Sequence, residues 1–143
     1  METFQWKKEF DVGNEEINDQ HKKWFEILND THNKMLGNIK SDISKIGPDA
    51  LKKVIDYTKY HFSFEEKHML KIGFSDIDRH KKLHEKFIKK VDQIALDLHR
   101  GELVLNSEII KVIKNWLIEH ILKEDQKFCG FGQKNLIDFE TRH

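Results

Sequence analysis

The chain has 143 residues, with 38% hydrophobic and 35% charged and with 25 Lys and Arg against 25 Asp and Glu, which suits one small helical domain spanning 1–143 around one core. The balanced charge argues against a nucleic-acid or anionic-membrane partner, and no segment approaches the ~20 apolar residues of a bilayer span. A lone cysteine, Cys129, excludes an intrachain disulfide and a thiolate-based zinc or iron–sulfur site, and the opening METFQWKKEF lacks the apolar run of a secretion signal, so the expectation is a soluble, cytoplasmic protein.

In chain order, residues 1–16 hold Phe4, Trp6, Phe10 and Val12 and read as an arm laid along the fold. Apolar residues then recur at three- and four-residue intervals, the helical period, and Gly37, Gly73, Gly101 and Gly130 punctuate four such runs. The first helix should start near Asn18 or Asp19 and reach Leu36, with Ile17, His21, Trp24, Phe25, Leu28 and Met35 facing in. The second should start at Pro48, a residue suited to a first turn, and reach Ile72. The third should be capped by Ser75 or Asp76 and reach Arg100, burying Leu83, Phe87, Val91, Ile94 and Leu98. The fourth should be capped by Asn106 or Ser107 and reach Cys129, burying Ile109, Ile113, Trp116, Leu117 and Ile121. Short connections make neighbours antiparallel, so the expected fold is an all-α, up-down-up-down four-helix bundle with an N-terminal arm. Phe131, Leu136, Ile137 and Phe139 in the tail should pack too.

Nine histidines are the unusual figure, and their spacing carries the information. His61 and Glu65, and His80 and His84, are pairs four apart, each on one helix face. At ~1.5 Å per residue, His61 and His120 both lie roughly 20 Å into helices that descend from one end. His21, His80 and His84 lie within roughly 12 Å of the starts of helices that ascend from the other. All therefore come to one level of the bundle. Either pair alone is weak support for a metal, but several inward histidines and carboxylates at one height would be very costly to bury without a cation. His32 lies about 16 Å further along than His21, His68 is a decoy three residues after Glu65, His99 closes the third helix at the far end, and His143 ends the chain. These four read as non-ligands.

These elements resemble the hemerythrin family in its single-domain bacterial form, over almost the whole chain. Trp6, Val12-Gly13 and Ile17-Asn18-Asp19-Gln20-His21 resemble the family's opening. His61-Phe62-Ser63-Phe64-Glu65-Glu66 resembles its His–Phe–x–x–Glu–Glu signature, and His80-Lys81-Lys82-Leu83-His84 its His–x–x–x–His element. Trp116-Leu117-Ile118-Glu119-His120 with Asp125 resembles its closing Trp–Leu–x–x–His–x–x–x–x–Asp element. Two residues depart from the pattern. Asn18 stands where aspartate is frequent, and Trp24 where a smaller aliphatic side chain is common, which implies a narrower space beside the metals.

The resemblance implies two iron ions, non-haem and joined by an oxo or hydroxo bridge. It implies that His80, His84 and His120 hold one, that His21 and His61 hold the other, and that Glu65 and Asp125 bridge both. One octahedral position then stays open, on the iron with two histidines, as the seat of dioxygen. For the last carboxylate, ideal helix geometry favours Glu124, four residues after His120, over Asp125, about 140° around the helix. The resemblance selects Asp125, with Glu124 the fallback, and implies either a local widening of the helix there or a sideways reach of the carboxylate. A dry ligand pocket would be walled by Phe25, Phe62, Trp116, Leu117 and Ile121, with Leu117 the foremost candidate. The implied function is reversible dioxygen carriage or storage rather than catalysis. A module that senses or delivers oxygen, nitric oxide or a redox state is the runner-up, weakened by the lack of a fused signalling segment, and a diiron enzyme acting on peroxide or nitric oxide stands beside it. Oligomeric state is open, with a monomer one option.

Overall fold

The computed structural model describes residues 5–37, 43–102 and 106–130, with the backbone alone at 35–37 and 43–48. Helices α1 (Glu15–Gly37), α2 (Ile43–Ile72), α3 (Ile77–His99) and α4 (Ser107–Glu119) form the bundle. A π-helical stretch, His120–Asp125, continues α4 and returns to α-helix over 126–130. Packing joins α1 to α2, α2 to α3 and α1 to α4, and Phe87 of α3 stacks on Trp116 of α4 at 3.8 Å between ring centroids, closing the ring of four. No described helix is long and apolar enough to cross a membrane.

The helix ends differ from expectation in instructive ways. α1 begins about one turn ahead of Asn18, because Asn14 is its cap: Asn14 Oδ1 accepts the Ile17 N–H at 3.1 Å, and Glu15 and Glu16 favour the positive end of the helix. Asn18 instead fastens the arm, accepting the Val12 N–H at 3.0 Å and donating to Asp11 at 2.7 Å. α2 begins at Ile43, so Pro48 falls past the first turn, where its missing N–H leaves the Ser44 carbonyl without the usual helical donor. Asp76 occupies the cap position of α3 without capping it, since its carboxylate takes the Arg79 Nε–H at 2.8 Å. Asn106 caps α4 as expected, accepting from the Ile109 N–H at 3.0 Å.

α2 and α3 end in the same motif. Gly73 and Gly101 adopt φ of 70° and 74°. Gly73 N–H bonds Leu70 O at 3.2 Å and Phe74 N–H bonds Met69 O at 3.0 Å; Gly101 and Glu102 repeat the pattern on Leu98 and Asp97. Paired bonds of this kind satisfy carbonyls that a helix end would otherwise strand. Gly130 was expected just past a helix but is itself still helical.

The core holds Ile17, Trp24, Phe25, Leu28, Phe62, Phe87, Val91, Leu98, Ile113, Leu117 and Ile121, as the helical periods require. Leu83, Ile94, Ile109 and Trp116, expected inside, are half-buried, and Ile110 takes the fully inward position at the start of α4. Buried Thr31 and Thr58 return their hydroxyls to the carbonyls of Ile27 and Val54 at 2.8 and 2.7 Å, so neither needs a partner across the core. The arm docks as expected: Phe10 and Val12 are buried, Trp6 and Phe10 pack on Phe25 at 5.5 and 5.4 Å, and Gln126 Nε2 donates to the carbonyls of Glu9 and Asp11. Phe4, the Met35 side chain, the tail apolar residues and His143 lie outside the described residues.

A Cβ on Gly73 would meet nothing within 4 Å, so Gly73→Ala introduces backbone strain alone. Urea denaturation should show a loss of about 1–2 kcal/mol, and Gly73→Asn a smaller one.

Candidate metal centre

Three helices and the π-helical stretch bring seven polar side chains to one level. His21 comes from α1, His61 and Glu65 from α2, His80 and His84 from α3, and His120 and Asp125 from the end of α4. Each is 0–4% exposed. Their donor atoms form two overlapping groups: Glu65, His80, His84, His120 and Asp125, and His21, His61, Glu65 and Asp125, with the atoms of each group within 4.8 Å of one another. Both carboxylates belong to both groups.

The π-helical stretch decides which carboxylate faces inward. Its wider turn brings residues five apart onto one face, so Asp125 lies beneath His120 with Oδ1 at 3.1 Å from Nε2. Glu124 turns outward to a two-point ion pair with Arg79 and a contact with Lys127 at 3.7 Å. An ideal α-helix would have exchanged the two. The Arg79 guanidinium keeps Glu124 ionised against its partial burial.

Nitrogen–oxygen separations in the cluster are short: His21 Nε2 to Asp125 Oδ2 3.0 Å, His80 Nε2 to Asp125 Oδ1 3.3 Å, His84 Nε2 to Glu65 Oε1 3.3 Å and His61 Nε2 to Glu65 Oε1 3.5 Å. Yet both oxygens of Glu65 and Asp125, and Nε2 of His21, His61 and His80, have no hydrogen-bond partner among the described residues. The atoms are close without being aligned donor to acceptor. Lone pairs aimed at a shared point between them give that result. Two ligands about 2.1 Å from one ion at right angles are about 3.0 Å apart, the separation seen here. Buried, orphaned and convergent donors of nitrogen and oxygen type therefore fit a pair of first-row metal ions.

The far side of two imidazoles is anchored. His61 Nδ1 donates to Gln20 Oε1 at 2.7 Å, and His84 Nδ1 to Glu66 Oε2 at 3.2 Å, which leaves Nε2 of each free to face the cluster. The Tyr57 hydroxyl donates to the Gln20 carbonyl at 3.0 Å and steadies that residue. The sequence reading did not assign Gln20 or Glu66 a role; the signal was adjacency, since each sits next to a site residue, His21 or Glu65.

Charge in the metal-free cluster is shared between imidazoles and carboxylates. Burial pushes His21 down, but Asp125 and Glu65 outweigh it and raise it to about 9. Burial likewise opposes His84, which Glu65 and Glu66 raise to about 9. His61 goes the other way, lowered chiefly by burial. Burial would raise both carboxyls, but the surrounding histidines hold Glu65 and Asp125 well below the ordinary range.

The expected walls divide by position. Phe62 stacks flat on His84 at 3.7 Å and Trp116 flat on His120 at 4.6 Å. Leu117, one turn before His120, and Ile121, which follows it, are fully buried. Phe25 packs against Trp6 and Phe10 and anchors the arm. Of the other histidines, His68 meets Asn14 and His32 meets Ser107, both outside the cluster, and His99 is exposed at the end of α3.

A four-helix bundle with a buried histidine–carboxylate cluster is the architecture of a metal-binding bundle protein. Residues 12–131 match the family described as the hemerythrin HHE cation binding domain. A hemerythrin-like protein of Naegleria gruberi is 38% identical over 127 residues, covering 89% of this chain and 92% of that one. A bacteriohemerythrin of Stenotrophomonas maltophilia is 30% identical over 143 residues, covering 100% of this chain and 90% of that one. The crystal structure of wild-type hemerythrin superposes with a TM-score of 0.82 at 29% identity, covering 90% of this chain and 97% of that one. The chain belongs to the hemerythrin family.

Metal should stabilise the bundle by relieving this convergence. At a hundredfold excess over the dissociation constant, ferrous or zinc ions should add about 2.7 kcal/mol. Calorimetry should show a raised melting temperature that a chelator reverses, and an unchanged one would contradict the fit.

Proposed function

We propose that this chain binds dioxygen reversibly at a non-haem diiron centre held by His21, His61, Glu65, His80, His84, His120 and Asp125, and serves as a carrier or store. The observation that carries the reading is the inequality of the two donor groups: three histidines in one and two in the other, with both carboxylates common to them. The poorer group is one donor short, so an exogenous ligand has a place there. When bound, the iron pair supplies the electrons that dioxygen takes up and gives back.

The protein's part is to hold, neutralise and exclude. Gln20 and Glu66 fix the tautomers of His61 and His84, so those rings need no rearrangement when metal or ligand arrives. Two carboxylates among five imidazoles leave the site with little negative charge, which disfavours high iron oxidation states; bundle oxidases carry about four carboxylates and two histidines instead. Phe62, Trp116, Leu117 and Ile121 surround the imidazoles with apolar surface and keep out the water and protons that would displace a reduced ligand.

Two measurements test the assignment. Iron-loaded, reduced protein exposed to oxygen and then flushed with argon should gain and lose a visible charge-transfer band through repeated cycles; a single passage to a stable ferric spectrum would contradict reversible carriage. Metal analysis should give two irons per chain, lowered in Asp125→Asn and His61→Ala and kept in Glu124→Gln, and loss of iron from Glu124→Gln alone would reverse the assignment of the bridging carboxylate.

Leu117→Ala opens the apolar wall one turn before His120. It should shorten the autoxidation half-life severalfold and lower stability by about 2–5 kcal/mol. An unchanged half-life would remove Leu117 from the pocket.

A further inference from the structure

Trp24 carries an unspent hydrogen-bond donor on a ring that adjoins His61 of the smaller donor group. It lies on α1 one turn from His21, and its side chain is 0% exposed. Its ring sits 5.3 Å from that of His61, centroid to centroid, with Phe62 at 5.6 Å and Phe87 at 6.4 Å on its other sides. Phe62 and Phe87 offer no lone pair, and indole Nε1 has no hydrogen-bond partner among the described residues, His61 included. Tryptophan buried in a core ordinarily satisfies its N–H, and the surroundings here would hold a phenylalanine or leucine ring or chain without stranding a donor. The histidines that Trp24 adjoins, His21 in sequence and His61 in space, are the two of the group that is one donor short.

We propose that Trp24 Nε1–H donates a hydrogen bond to a small ligand bound at the two-histidine position, and so favours ligands whose outer atom carries negative charge. The inference rests on the diiron reading given above and concerns this chain's own side chain rather than the metals. An apolar wall excludes water without distinguishing ligands. A single N–H in that wall discriminates, because a hydrogen bond to a charged acceptor is about twice as strong as one between neutral groups. The donor is also held in place before the ligand arrives, clamped between His61, Phe62 and Phe87, so little ordering remains to be done on binding.

The test uses azide as the probe, on the iron-loaded, oxidised full-length protein. Trp24→Phe and Trp24→Leu both delete the donor while changing the space left behind by different amounts. Loss of the hydrogen bond should appear in azide dissociation, faster by about tenfold or more in both variants, while association should follow side-chain size and differ between them. In the wild-type protein, the indole N–H resonance of Trp24, assigned by its disappearance in Trp24→Phe, should move downfield when azide is added. Equal dissociation rates in all three proteins, or an indole resonance that ignores azide, would overturn the proposal and leave dioxygen carriage standing. An iron-loaded wild-type protein that takes up neither azide nor dioxygen would overturn both.

Discussion

The fold depends on one electrostatic constraint: five imidazoles and two carboxylates meet in an interior that water does not reach. Each ionised group taken from water into such a core costs several kcal/mol even after relaxation, and here the surrounding histidines hold both carboxyls low although their oxygens lack hydrogen-bond partners among the described residues. The same carboxylates raise the proton affinity of His21 and His84 against their burial. The four helices thus converge on a donor set that fits metal ions.

That constraint reaches outward through the groups that hold the rings. The two anchored imidazoles are held by chemically different partners: a neutral amide, Gln20, behind His61 and a carboxylate, Glu66, behind His84. A carboxylate behind an imidazole makes it a stronger donor than an amide does. The three-histidine group therefore has both more nitrogen donors and one made more electron-rich by a carboxylate. The two-histidine group has one nitrogen donor fewer and includes the amide-backed His61. Number of donors and quality of donors point the same way, so the asymmetry is built at two levels of the structure.

Much of this was legible in the sequence, because helices convert spacing into height. The pairs His61–Glu65 and His80–His84 declare a face, and distance from a helix start declares a level; both survive errors of a turn in where the helix begins, as α1 shows by starting at Glu15. The glycine stops at Gly73 and Gly101 were readable for the same local reason. What could not be read were features set by contact between elements. Asp76 looks like a cap until Arg79 takes its carboxylate. Trp116 looks like core but is half-buried, because stacking on Phe87 and His120 places it at the bundle's flank. Gln20 and Glu66 follow no periodic signal at all and acquire a role only when another helix presents an Nδ1–H to them.

The π-helical stretch is where local rule and global need conflict most openly. Ideal helix geometry places Glu124 under His120, and both carboxylates are present side by side, so a regular helix would already have supplied an acid to the cluster. The chain instead widens over His120–Asp125, accepting poorer backbone bonds than an α-helix makes. Two gains accompany the change. Asp125, with the shorter side chain, has fewer rotatable bonds and lies between His21, His80 and His120 at 3.0–3.3 Å, while Glu124 is released to pair with Arg79 at the surface and pin α4 to α3. A longer glutamate in the core would reach the same space with more freedom and leave Arg79 without this partner. An irregularity that survives in a helix otherwise free to be regular is most simply read as required by the donors it positions.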